Sequence, residues 1–162
     1  MTAVVVLGLM GAGKSTLAAA LADRLHRTLR DSDLDIERDQ GRTAAQIAAG
    51  SVDVLHQLEA EHLFDALADP EAVVAAAASV VDRADCREAL AAAFVVWLDA
   101  PVPVLRARFE SRAHRPRFDT DIARMLRDQL ANRGPHLAEV ADLRLDASRP
   151  VPDLVEAVLA AL

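Results

Sequence analysis

The sequence predicts a three-layer α/β domain that contains a five-stranded parallel sheet. Aliphatic runs that are typical of strands buried on both faces alternate along the chain with amphipathic helical patterns. A glycine-rich segment stands between the first strand and the first helix, where α/β domains bind phosphate groups. The 162 residues suit one domain, and we expect a single unit over 1–162.

Each element follows from a local pattern. Valine-rich, alanine-rich or aliphatic runs predict strands at 3–7, 28–33, 72–78, 93–98 and 143–146. Apolar residues spaced three or four apart predict helices at 14–25, 34–40, 43–49, 52–67, 83–92, 102–109, 122–132 and 151–162. Pro101 favours a helix start at 102, because proline suits the first turn. The basic segment 111–121 interrupts this alternation.

Composition excludes several classes of function. A net charge of −7 and 3% aromatic residues disfavour nucleic-acid binding, which needs a basic field and stacking side chains. No apolar stretch reaches the roughly 20 residues that a membrane span needs. A single cysteine, Cys86, suits a reducing compartment. We expect a cytoplasmic monomer without nucleic-acid or membrane partners.

The segment from Gly8 to Ser15 (GLMGAGKS) fits the phosphate-loop pattern G-x-x-x-x-G-K-[ST]. Glycines let the backbone wrap a phosphate, and the helix that follows adds its partial positive charge. Lys14 is the only lysine beside seventeen arginines. Lysine suits this position because its compact charge on a flexible stem reaches phosphate at depth. The loop therefore predicts a site for a nucleoside triphosphate.

A wider pattern extends from this loop over nearly the whole chain. GLMGAGKSTLAAALADRL, RDSDLDIE, RPRF and the run RGPHLAEVAD follow in an order that resembles the shikimate kinase family. The resemblance implies a phosphate-loop fold of the nucleoside-monophosphate-kinase type, with a mobile lid at about 111–121. It also implies ATP and Mg²⁺ as cofactors, transfer of the γ-phosphoryl group to a hydroxyl of shikimate, and a role in aromatic amino acid biosynthesis.

The resemblance also implies roles on the nucleotide side. Lys14 and Arg115 would neutralise charge on the transferred phosphoryl group, while Ser15 and Asp31 would hold Mg²⁺, Asp31 through water. Further nucleotide contacts would come from Gly11, Ala12, Gly13, Thr16, Arg108, Arg112 and Arg149. Spacing does not choose between Arg108 and Arg112, and a plain basic surface loop is an alternative for 111–121.

On the acceptor side, the resemblance makes Asp33 the catalytic carboxylate that orients or deprotonates the acceptor hydroxyl. Arg133 would bind the acceptor's carboxylate, with a cation at a helix C-terminus as the alternative. Glu59 would support the family's arginine contact, unless it is part of a charged helix face. A solvated strand end is the alternative for Asp31 and Asp33.

The chain departs from the family pattern at two places on the acceptor side. His56 stands where the family has an arginine, and Ala76, Ala77 and Ala78 stand where it has three glycines. We assign His56 and Ala77 to substrate binding, although His56 also suits a plain polar helix position. The departures leave open a different polyol or sugar acid as acceptor, since AAAASVVDRADCREAL loosely resembles gluconate kinases. A non-catalytic nucleotide-binding relative is the third reading.

Overall fold

The protein is described by a computed structural model, which covers residues 1–111 and 121–162. The strands are β1 (Val4–Leu7), β2 (Leu29–Asp31), β3 (Val73–Ala75), β4 (Phe94–Asp99) and β5 (Leu143–Asp146). The helices are α1 (Lys14–Leu25), α2 (Ser32–Gln40), α3 (Ala44–Gly50), α4 (Val52–Leu67), α5 (Ala84–Leu90), α6 (Val102–Glu110), α7 (Ile122–Val140) and α8 (Val151–Ala161). A 3₁₀ helix, Ala78–Asp82, precedes α5.

The strands form one sheet in the order β2-β3-β1-β4-β5, and every neighbouring pair is parallel. The carboxyl ends of all five strands therefore meet at one edge. The phosphate loop follows β1 in the centre, while the acidic segment after β2 lies two strands away. The predicted five-stranded parallel α/β fold is confirmed.

The sheet has a hydrophobic core on each face. Alternate residues of β1 point to opposite sides, so Val4 and Val6 pack in one cluster while Val5 and Leu7 pack in the other. The first cluster is covered by α1 and α8 and the second by α4 and α5. This is the predicted three-layer arrangement. Among the described helices, none is long and apolar enough to cross a membrane.

Several predicted boundaries were wrong by one or more residues, and three of the differences bear on the site. The strand expected at 28–33 ends at Asp31, because the Asp31 carboxylate caps α2 by accepting bonds from the backbone N–H groups of Asp33 and Leu34. The strand expected at 72–78 ends at Ala75, where the chain turns into the 3₁₀ helix. The helix expected at 122–132 continues to Val140 with Pro135 inside it, since tertiary packing overrides the local breaker.

Helix α2 is attached to α4 by a buried hydrogen-bonded pair, His62 and Asp35. His62 Nε2 and Asp35 Oδ2 lie 2.7 Å apart, and Arg30 Nε donates to the same oxygen at 3.1 Å. Burial opposes ionisation of Asp35, but the hydrogen bonds from His62 and Arg30 outweigh it and hold the pKa of this carboxyl below its usual value. Because α2 begins at the acidic segment after β2, this pair helps to set where Asp33 lies.

Replacing Asp35 with Asn should lower the free energy of unfolding by about 1–3 kcal/mol, since buried donors lose a charged partner. Urea unfolding at pH 7 measures the loss. The matched control is Asp39→Asn, which breaks only an exposed pair with Arg38 and should cost less than about 0.5 kcal/mol. The Asp35→Asn loss should shrink as the pH falls through the lowered pKa, because the wild-type carboxyl then becomes neutral too. Equal losses in the two variants would contradict a stabilising role for the buried pair.

Candidate nucleotide and acceptor site

The phosphate loop joins β1 to α1 and packs directly on the sheet. A Cβ built at Gly8 would lie 2.5 Å from the backbone oxygen of Leu98 in β4, so any side chain there would displace the loop. Gly13 has a φ of 94°, a left-handed conformation that favours glycine, and it forms the N-cap of α1 without a side-chain hydrogen bond. The first N–H groups of α1 are thus left uncapped by this residue, as an anion site requires.

Lys14 lies against its own loop. Its Nζ donates to the backbone oxygen of Gly8 at 2.8 Å and to that of Leu9 at 3.3 Å. Ser15 and Thr16 follow it in the first turn of α1 and are exposed. Gly11 and Ala12 complete the loop at the positions expected for backbone contacts with phosphate. Of the predicted nucleotide residues in this segment, Ser15 and Thr16 are therefore exposed, Gly11, Gly13 and Lys14 are half-buried, and Ala12 is buried.

Arg108 connects the phosphate loop to the far end of the sheet. One terminal nitrogen donates to the backbone oxygen of Ala12 at 3.1 Å, and the other donates to that of Ala147, after β5, at 2.7 Å. This places Arg108 beside the nucleotide loop. Arg112 and Arg115 lie outside the described residues, so their assignments stay predictions. Arg149 is exposed in the turn after β5, where its backbone N–H donates to Asp146.

The residues predicted to hold Mg²⁺ suit that ion chemically. Asp31 is 3% exposed; its Oδ1 caps α2, whereas its Oδ2 is buried with no hydrogen-bond partner. Such an orphaned carboxylate oxygen together with the Ser15 hydroxyl is a donor set that Mg²⁺ prefers. Among the described residues no group of three or more acidic, His or Cys side chains could hold a metal. A magnesium ion here would therefore take further oxygen ligands from phosphate and water.

The acceptor side is organised around Glu59 in α4. Glu59 is 7% exposed, and its Oε1 accepts a hydrogen bond from Ser79 Oγ at 3.0 Å. Burial raises the pKa of Glu59 to about 7; the Ser79 bond lowers it, Asp33 raises it, and Arg133 and Lys14 lower it. The predicted phosphate residue Lys14 and the predicted acceptor residues Asp33 and Arg133 thus lie near one buried carboxyl group.

Arg133 is held by a partner that the sequence did not indicate. Its guanidinium contacts Asp82 of the 3₁₀ helix, with Nη2 to Oδ2 at 3.1 Å and Nε to Oδ2 at 3.2 Å. Since α7 continues to Val140, the alternative that Arg133 is a cation at a helix C-terminus is wrong. The side chain of Arg133 remains 15% exposed in this pair, which is enough for it to contact a ligand.

Both departures from the family pattern, His56 and the alanine run 76–78, lie on the predicted acceptor side. Ala77 caps the 3₁₀ helix with a φ of −67°, which any residue can adopt, so the alanine run needs no glycine for its backbone. His56 is half-buried in α4, one turn before Glu59. Ser79 and Asp82 were missed as functional candidates. The sequence signal that could have indicated them is their position, since they are polar residues that closely follow the alanine run.

Known proteins resemble this chain along most of its length. Residues 10–162 match the family model of shikimate kinase. The chain is 38% identical to a shikimate kinase of Symbiobacterium thermophilum over 90% of its length and 87% of the relative, and 35% identical to one of Corynebacterium glutamicum over 96% and 93%.

Solved structures extend this similarity to the fold. A structure of shikimate kinase from Acinetobacter baumannii in complex with shikimate has a TM-score of 0.90 at 30% identity, covering 98% of this chain and 91% of the other. A gluconokinase from Sinorhizobium meliloti shares the fold, with a TM-score of 0.70 at 23% identity over 99% and 90% of the two chains.

Replacing Arg108 with Lys should weaken ADP binding about tenfold, because one ammonium group cannot bridge the two backbone oxygens that hold the phosphate loop. Calorimetric titration measures this affinity. Arg106→Lys is the matched control, since Arg106 lies on the same helix, is exposed and pairs only with Glu110 in the described contacts. Unchanged affinity in Arg108→Lys would show that the loop keeps its shape without this bridge.

Proposed function

Because this chain belongs to the shikimate kinase family, a family of small-molecule kinases, we propose that it transfers the γ-phosphoryl group of ATP to a hydroxyl of shikimate. The predicted family and the predicted class of enzyme are confirmed. One observation carries the proposal for this chain. Lys14 on the phosphate loop, Asp33 after β2 and Arg133 on α7 lie near enough to the buried Glu59 to shift the pKa of its carboxyl, so residues assigned to phosphate and to the acceptor come from three elements to one region.

We propose the following division of roles. The phosphate loop and Lys14 hold the triphosphate, with Arg108 and Arg149 beside it and with Arg112 and Arg115 supplied by the segment 111–121, which serves as the lid. Lys14 and Arg115 neutralise charge on the γ-phosphoryl group during its transfer. Ser15 and, through water, Asp31 would hold Mg²⁺, which would supply additional charge neutralisation at the phosphates.

The acceptor is held on the other side of the transferring group. Asp33 is exposed in the first turn of α2, where it can accept a hydrogen bond from the attacking hydroxyl and align it. Phosphoryl transfer depends on such positioning more than on a strong base, since its transition state is loose. Arg133, His56 and the Ala77 backbone bind the acceptor's carboxylate and hydroxyls.

The proposal extends to the whole chain. Residues 1–162 form a single kinase domain that works as a monomer in the cytoplasm, without nucleic-acid or membrane partners. The net charge of −7 supports the exclusion of nucleic acid.

Measuring ADP release with Mg·ATP tests the proposed function directly. Shikimate should stimulate release strongly, whereas gluconate and other hydroxy acids or polyols should not. The alternative acceptor is tested in the same panel because His56 and the alanine run alter the acceptor side. If gluconate stimulated ADP release and shikimate did not, gluconate rather than shikimate would be the acceptor. Nucleotide binding without stimulation by any compound would identify a non-catalytic relative.

Replacing Asp33 with Asn should lower kcat for shikimate phosphorylation at least about a hundredfold, since the amide cannot take the hydroxyl proton. ADP affinity should stay within about twofold of wild type, because Asp33 is assigned to the acceptor. Glu37→Gln, an exposed change one turn further along α2, is the control and should leave kcat unaltered. A kcat for Asp33→Asn close to that of the control would remove Asp33 from the catalytic residues.

A further inference from the structure

Glu59 and Ser79 form a buried pair that the proposed mechanism does not use. Both residues are 7% exposed, and the hydroxyl of Ser79 donates to Glu59 Oε1 at 3.0 Å. They come from elements packed on each other, α4 and the 3₁₀ helix, and lie 20 residues apart in sequence. A buried carboxyl group supported by one neutral donor holds its proton more strongly than an exposed one does.

The two cations near this pair, Arg133 and Lys14, contact other groups. None of the ion pairs in the described part of the chain includes Glu59. Arg133 is paired with Asp82 at 3.1 Å, and Lys14 donates to backbone oxygens of the phosphate loop. Both lower the pKa of Glu59, yet burial and the negative charge of Asp33 outweigh them. Among the residues that the structure describes, no cation is therefore paired with Glu59.

The other elements packed on α4 add little compensation. Helix α3 carries no titratable side chain. Before and within α5, Arg83 is paired with Asp85 and Arg87 donates to the backbone oxygen of Val81. On α2, Asp35 is already bonded to His62, and Asp33 remains as the negative group facing Glu59. His56, one turn away on α4, brings no permanent charge.

We propose that Glu59, held by Ser79, is a specificity-determining residue of the acceptor site: a carboxylate-bearing acceptor binds to the form in which Glu59 carries a proton. The inference rests on the proposed function. With Glu59 neutral, Lys14 and Arg133 balance Asp33 and Asp82. An ionised Glu59 would leave an excess negative charge beside the acceptor's own carboxylate. When the acceptor binds above neutral pH, one proton moves from solvent to a Glu59 oxygen, and no other bond is made or broken there.

Kinetics against pH test this assignment. The KM for shikimate should be level below pH 7 and rise about tenfold per pH unit well above it, because the competent fraction of enzyme falls. Glu59→Gln, which is neutral at every pH, should abolish the rise. Ser79→Ala removes the hydrogen bond that stabilises the ionised form, so the rise should move to higher pH. The KM for ATP, measured in the same reactions, should be the same in wild type and Glu59→Gln.

His56 is the group most easily confused with Glu59, since a histidine that loses its proton would also weaken binding of an anion. His56→Gln separates the two. If Glu59→Gln keeps the slope and His56→Gln removes it, the assignment to Glu59 is overturned. A level KM for shikimate in the wild type between pH 6 and 9 would overturn it as well.

A binding measurement separates this inference from the proposed function. Calorimetry of shikimate binding at pH 8, in two buffers with different ionisation enthalpies, should show uptake of about one proton in wild type and none in Glu59→Gln. This result would support the inference even if shikimate failed to stimulate ADP release, which would refute only the proposed function. Absence of shikimate binding, or binding without proton uptake, overturns the inference.

Discussion

The close approach of the phosphate loop to the sheet constrains the rest of the nucleotide side. Gly8 passes close to the backbone oxygen of Leu98. A Cβ at this position would lie 2.5 Å from that oxygen, which is too close, so the position requires glycine. The loop is thereby anchored over the ends of β1 and β4, and Arg108 extends the attachment to Ala147 after β5. Three strand ends are joined in this way, so Lys14 and the N-terminus of α1 have a fixed position relative to the sheet.

The acceptor side depends on a different set of contacts. Asp31 ends β2 and caps α2, and the buried pair of Asp35 and His62 attaches that helix to α4. Helix α4 also carries Glu59, which reaches the 3₁₀ helix through Ser79. Asp33 and Glu59 therefore keep their separation because both belong to one α2–α4 unit. The groups proposed to bind the nucleotide and those proposed to bind the acceptor are thus held by separate contacts and meet at the edge of the sheet.

Local patterns explain what could be predicted from the sequence. The phosphate loop is contiguous in sequence. Its glycines and its lysine lie in the eight residues from Gly8 to Ser15, and the strand and helix that flank it adjoin this segment. Buried strands and α4 were readable from periodicity. The contacts Arg108–Ala147, His62–Asp35 and Glu59–Ser79 join residues 39, 27 and 20 positions apart, and no local pattern encodes them. The end of β2 was predicted wrongly because the Asp31 side chain accepts hydrogen bonds from the backbone N–H groups of Asp33 and Leu34, which a longer strand would need for pairing in the sheet.

The absence of an arginine at position 56 and the proposed protonation of Glu59 are linked. An arginine at position 56 would place a permanent cation one helical turn from Glu59, and that charge would favour the ionised carboxylate. With His56 in its place, Glu59 is left with a neutral donor, Ser79, and burial then favours the protonated form. Loss of a cation and loss of the neighbouring anion offset each other, so the local charge balance toward an anionic acceptor can survive without the arginine. The directional, bidentate contact of an arginine is lost, and in the proposed site the orientation of a carboxylate depends on Arg133, which is paired with Asp82.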